Sequence, residues 1–131
     1  MDDFYREIII DHYKNPLHKG HIEESDYTFE DENPLCGDHI QIELKVDSTQ
    51  NVIDAKFNGQ GCAISISAAD LLLDSIIGKP VEELKTLSKK DILDLLGIDL
   101  SPVRLKCALL SLKVLKAAVY ELQDTDDNLT K

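Results

Sequence analysis

Between residues 40 and 58 the chain alternates apolar and polar side chains with a period of two. Ile40, Ile42, Leu44 and Val46 alternate with Gln41, Glu43 and Lys45; after residues 47–50, Ile53, Ala55 and Phe57 alternate with Asp54, Lys56 and Asn58. A period of two places every second side chain on one face, so each segment has one packed face and one wet face. Two such segments joined by a short polar stretch predict an antiparallel hairpin, and a wet face is tolerated in antiparallel sheets. Tyr27 and Phe29, alternating with Thr28 and Glu30, predict a short third strand. A sheet this small must be covered on its packed face, and the rest of the chain is helical in pattern.

Ile8, Ile9, His12 and Tyr13, with Phe4 and Tyr5, recur at helical spacing over residues 3–14, and Asn15-Pro16 stops that helix. Residues 17–25 form a polar connector. Residues 63–77 are rich in Ala, Leu and Ile, with Ser67, Asp70 and Asp74 as a narrow polar stripe. Such a helix is mostly buried, and its stripe is expected to be solvated. Gly78 is its natural stop. Pro80 suits the first position of a short helix over 80–85. Ser88 and Asp91 resemble a capping box that opens a helix over 89–96, with Gly97 closing it. The last helix starts either at Pro102 with Ser101 as cap, or near Leu105. Leu105, Leu109, Leu112, Leu115 and Val119 form its expected buried stripe, and residues 123–131 read as a frayed tail. One helix, three strands and then only helices predict an α+β fold: a small three-stranded antiparallel sheet with helices packed on one face. At 131 residues the chain is expected to be a single domain over 1–131.

The charge narrows the function. The formal net charge of −11 lacks the basic footprint that nucleic acids or anionic membranes require. No apolar run approaches the ~20 residues of a membrane span. The acidic start, Met1-Asp2-Asp3, is unlike a secretory leader, so a cytoplasmic location is expected.

Three cysteines, Cys36, Cys62 and Cys107, are too few and too oddly numbered for a disulfide framework, and no Cys-x-x-Cys is present. By count alone they read as small buried hydrophobes. Their contexts point elsewhere. Cys36 lies in the turn Asn33-Pro34-Leu35-Cys36-Gly37-Asp38; Cys62 follows Gly59-Gln60-Gly61 at a strand–helix break; Cys107 falls within about two turns of a helix start. Loop ends at one sheet edge can converge, and binding residues favour such places. Asp38 is two residues from Cys36, which in an extended segment puts both side chains on one side. Three thiolates and one carboxylate make a four-ligand set that suits zinc, and thiolate-rich sites also hold iron–sulfur clusters.

These residues carry a resemblance. Asn33-Pro34-Leu35-Cys36-Gly37-Asp38, Gly59-Gln60-Gly61-Cys62-Ala63-Ile64-Ser65 and Arg104-Leu105-Lys106-Cys107-Ala108-Leu109 are similar to the three cysteine motifs of the iron–sulfur cluster assembly scaffold family, the IscU/SufU/NifU N-terminal group. The opening residues 4–16 resemble it as well. Lys106, where IscU-type members carry His, leans to the SufU type, whereas the segment between Cys62 and Cys107 is short, as in IscU, and Ser101-Pro102-Val103-Arg104 only echoes the IscU chaperone-recognition segment.

The resemblance implies a SufE/NifU-like α+β fold. It implies a protein that takes persulfide sulfur from a cysteine desulfurase, of SufS type, and passes sulfur or a nascent cluster to recipient apo-proteins or carriers. It also implies zinc as the resident metal and a transient [2Fe-2S] cluster. The implied ligands are Cys36, Asp38, Cys62 and Cys107, with Cys36 as sulfur acceptor and Cys107 as its rival. Arg104 and Lys106, flanking Cys107, are expected to offset the negative charge of such a site. The alternative is a structural zinc module that mediates protein contacts without thiol chemistry. His12 and His39 are expected to pack or sit at the surface, and His18 and His21 carry no motif.

Overall fold

The computed structural model describes residues 2–33 and 37–120. A helix α1 (Asp2–Lys14) precedes three strands, β1 (Tyr27–Asn33), β2 (Asp38–Val46) and β3 (Val52–Gln60), and four helices follow: α2 (Ala63–Ile76), α3 (Val81–Leu84), α4 (Lys89–Leu96) and α5 (Pro102–Val119). The strands form one antiparallel sheet in the order β1-β2-β3, so the expected α+β architecture is found. The side chains of Phe4 and Tyr5, and the expected tail at 123–131, lie outside the described residues.

The period-two pattern sets the sheet's faces. Ile40, Ile42 and Leu44 of β2 and Ala55 and Phe57 of β3 are fully buried, while His39, Gln41, Glu43 and Lys56 turn to the other face. The helices cover the packed face: α5 lies against β1 and β2, α2 lies against β3, and α1 packs on α2. The twelve largest fully buried side chains include Phe57, Ile40, Leu72, Leu73, Ile92 and Leu115, drawn from the sheet and from three helices, so one core joins the layers. Burying a side chain of this size contributes roughly 1.5–3 kcal/mol, before the entropy of ordering it is set against the gain.

Several boundaries differ from expectation. β1 runs on to Asn33 instead of stopping near Glu30, pairing Asp31 with Ile40, Glu32 with His39 and Asn33 with Asp38. The acidic run is accepted because alternate residues reach solvent and Asp31 pairs with Lys113 of α5 at 2.8 Å. β2 accordingly begins at Asp38. Pro80 is the N-cap of α3, outside the helix. At α4, the backbone N–H of Ser88 donates to Asp91 Oδ2 at 2.8 Å, and Gly97 ends the helix in the left-handed conformation, as the sequence predicts. α5 starts at Pro102, with the Ser101 side chain accepting from the Arg104 N–H at 3.3 Å.

Two readings of helix faces are corrected. The predicted stripe of α5 is too narrow: Leu105 and Leu109 are only half-buried, while Cys107, Leu110, Ser111, Val114 and Ala118 are buried. Having β1, β2, α2 and α4 around it leaves α5 little wet surface. The polar stripe of α2 is not solvated as a whole. Ser67 and Asp70 are 0% exposed, and only Asp74 faces solvent. Ser67 donates to the Ala63 carbonyl at 2.6 Å. Asp70 accepts from the His18 backbone N–H at 2.8 Å and bonds His12 Nδ1 at 2.5 Å, so α1 and the connector cover it.

Candidate functional site

Asp38 is placed by strand parity. It lies two residues before Ile40, in the same phase, and therefore points to the packed side of the sheet, where it is 3% exposed. Just before it, the Gly37 N–H donates to the Asn33 carbonyl at 2.7 Å, and Gly37 takes φ +73, a turn conformation that strongly favours glycine. Asn33 and Asp38 thus close a tight hairpin whose connection carries Cys36. Cys36 itself lies outside the described residues, as do Pro34 and Leu35.

Cys62 is the N-cap of α2, with extended backbone angles, at the point where β3 has ended and the helix begins. It is half-buried and free. Its backbone N–H donates to Asp38 Oδ1 at 3.2 Å, and its Sγ donates to Asp38 Oδ2 at 3.8 Å. Cys107 enters from α5, buried at 2% exposure. One ligand atom from each of Asp38, Cys62 and Cys107 lies within 4.8 Å of the others. Residues separated by 24 and 45 positions are thereby gathered where the starts of β2 and α2 meet the first half of α5.

The donor set suits a metal. Ligand atoms around tetrahedral zinc lie roughly 3.3–3.8 Å apart, given bonds of about 2.0–2.3 Å, so a contraction of under about 1.5 Å would close this group on an ion. Two sulfurs and one carboxylate oxygen are soft and hard donors in the mixture that zinc accepts. Among the described residues this is the one group of three such donors within reach of each other.

Arg104 and Lys106 are exposed, and Lys106 borders a groove with Asn33, Leu110 and Lys113, beside the hairpin that carries Cys36. His39 pairs with Glu30 at 3.2 Å on the open face of the sheet, away from the cluster's side. His12 packs against Asp70, and His18 reaches Asp74 at 3.1 Å. His21 lies beside Asn58 and Glu43.

Two neighbours of the cluster escape the sequence reading. Ser65, 1% exposed, donates from Oγ to the Cys62 carbonyl at 3.1 Å. Gly61 leaves the space into which the Asp38 carboxyl fits. The signal for Ser65 is its place three residues after an N-cap, where a short hydroxyl reaches back to the cap's carbonyl.

Residues 4–128 match the family model of the NifU-like N-terminal domain. The chain belongs to that family. The zinc-dependent sulfurtransferase SufU of Bacillus subtilis is 38% identical, with 91% of each chain covered. The iron–sulfur cluster assembly scaffold protein IscU of Haemophilus influenzae is 35% identical over 89% of this chain and 94% of its own. Among solved structures, a candidate iron–sulfur cluster assembly scaffold protein of the SUF system from Fervidobacterium islandicum superposes with a TM-score of 0.76 at 29% identity, covering 86% of this chain and 94% of that one. No described helix is long and apolar enough to cross a membrane.

Proposed function

We propose that this protein is an iron–sulfur cluster assembly scaffold and sulfur acceptor that works with a cysteine desulfurase. The observation that carries this reading is the convergence of Asp38, Cys62 and Cys107 on one point. The names of the relatives support it and weigh against a structural zinc module. Cys36 completes the set in this reading. It is two residues from Asp38, so their Cα atoms are at most about 7 Å apart.

In the proposed transfer, the Cys36 thiolate attacks the terminal sulfur of the donor's persulfide. The donor's S–S bond breaks, its cysteine leaves as a thiolate that takes up a proton, and a persulfide remains on Cys36. A free thiol with a pKa of about 8.5 is only a few per cent ionised at pH 7, so the acceptor must be activated. Zinc bound by Cys36, Asp38, Cys62 and Cys107 would hold the thiols deprotonated. The single carboxylate makes this set more exchangeable than four thiolates would be. Cys36, next to Gly37 in the sequence, is in this reading the ligand that leaves and attacks. Lys106 and Arg104, close to Cys107 in the sequence, would offset the charge of three thiolates and a carboxylate. A [2Fe-2S] cluster assembled on the same cysteines is the cargo, passed on to recipient apo-proteins; the SufS type is the proposed donor, and Cys107 is the rival acceptor.

The test is desulfurase stimulation by the wild type, Cys36→Ala and Cys107→Ala, with bound zinc measured on each sample. Loss of stimulation in Cys36→Ala is expected. Full stimulation by Cys36→Ala and none by Cys107→Ala would reverse the assignment of the acceptor. No stimulation by the wild type, with zinc bound, would return the protein to a structural role.

A further inference from the structure

We propose that Gly61 and Ser65 are positioning residues for the Asp38–Cys62 pair, with Gly61 providing the clearance through which the carboxylate reaches the cysteine. This rests on the metal-and-sulfur reading above and adds to it two residues that hold no ligand atom. Asp38 arrives on β2 and Cys62 at the start of α2, so the carboxyl must pass beside residue 61 to meet both the N–H and the sulfur of Cys62. A Cβ at Gly61 would stand 2.9 Å from Asp38 Cγ, 2.9 Å from Asp38 Oδ1 and 2.3 Å from Ser65 Oγ. These are closer than real Cβ contacts come. Gly61 is not among the glycines with positive φ, so its backbone conformation is open to other residues. Space alone requires glycine there.

The two oxygens of Asp38 divide the work. Oδ1 is anchored by the Cys62 N–H and Oδ2 faces the Cys62 sulfur. Any side chain at 61 must displace the anchored oxygen and its carbon, and so turns the second oxygen away from the sulfur. Ser65 controls the other half of the pair. Its buried hydroxyl holds the Cys62 carbonyl and fixes the direction in which the N-cap residue presents its sulfur. Swinging Ser65 aside to admit a Cβ would surrender that bond.

Co²⁺ alone, titrated into the full chain, reports thiolate ligation by charge-transfer absorption and tetrahedral geometry by its d–d bands. Gly61→Ala is expected to weaken Co²⁺ binding by about tenfold or more, the size typical of residues that orient ligands, and to alter the d–d envelope. The same substitution in an Asp38→Ala background is expected to cost under about twofold, because no carboxyl remains to be displaced. Ser65→Ala, which adds no atom, is expected to weaken binding by about threefold. Exchange of the Cys62 amide proton, followed without metal, is expected to speed up in Gly61→Ala as its acceptor moves.

An unchanged Co²⁺ affinity and spectrum in Gly61→Ala overturns the proposal. Equal losses with and without Asp38 also overturn it, since they signal a general backbone disturbance. Should Gly61→Ala fail to fold, the double variant, freed of the carboxyl, is expected to fold, and its failure counts against the proposal too. If the wild type takes up no Co²⁺ through thiolates, the metal reading fails on its own. The amide exchange then decides: the same rate in the wild type and Gly61→Ala sinks the positioning role.

Discussion

Among the described residues two aspartates are buried, Asp38 at 3% and Asp70 at 0% exposure, and they do different things. Each accepts a backbone N–H on one oxygen, from Cys62 and His18 respectively. Their second oxygens part company. That of Asp38 faces a thiol and stands in a three-donor cluster; that of Asp70 is held by His12 of α1 and joins two helices. A buried carboxylate is therefore not in itself a mark of a site. What distinguishes Asp38 is the company of sulfurs brought from two other elements. Asp70 is surrounded by donors that secure α1 and the connector to α2, and its role is to hold the fold.

That contrast makes graded predictions. Asp70→Ala strands the His12 ring and the His18 N–H in a part-buried place, and should cost about 3 kcal/mol in urea unfolding while leaving the Co²⁺ spectrum unchanged. His12→Ala removes one partner only and should cost about 1.5 kcal/mol. Asp38→Ala should cost under about 1 kcal/mol, since relief of a buried carboxylate offsets the loss of the Cys62 N–H bond. Its effect belongs to the site: an assembled cluster, freed of its one exchangeable carboxylate ligand, should be released more slowly than from the wild type, measured by chelator challenge. A stability loss in Asp38→Ala equal to that of Asp70→Ala would erase the distinction.

The smallest effect concerns a third, more exposed carboxylate. The Lys113 ammonium, hydrogen-bonded to Asp31, holds its carboxyl below the usual value, with the Glu32 N–H assisting and burial opposing. A lowered pKa in the folded state stabilises the protein above the ordinary carboxylate range, and the gain is lost as pH falls through the lowered value. The difference in stability between the wild type and Lys113→Ala should be at most about 0.5 kcal/mol at pH 7, as for exposed pairs, and should vanish in acid.

Much of this was legible in the residues because local period and parity write it. The alternation specifies the faces at Ile40, Ile42 and Leu44 and at Ala55 and Phe57, and the same parity carries back to Asp38 and points it inward. Ile53, put on the packed face by the same pattern, is instead exposed and Val52 is buried, next to the register shift at Lys45/Val46. Ser88, Gly97 and Ser101 mark helix ends by their own chemistry. Asp70 was misread because a polar stripe at 67, 70 and 74 looks the same whether it meets water or another helix. The partners that decide it, His12 and His18, lie more than 50 positions away. β1 was cut short because Asp31 and Glu32 are poor strand formers by composition, and only Lys113 and the pairing with β2 justify them. In the sequence Gly61 is one of two glycines at a strand–helix break. Its use as clearance depends on a carboxyl from another strand, which no local pattern contains.

Cys107 enters the cluster from α5, after every strand and every other described helix. While the chain is still growing on a ribosome, the carboxylate and the earlier thiols are made long before this last sulfur clears the exit tunnel. A metal ion captured at that stage would meet an incomplete cage, so faithful loading belongs to the finished polypeptide.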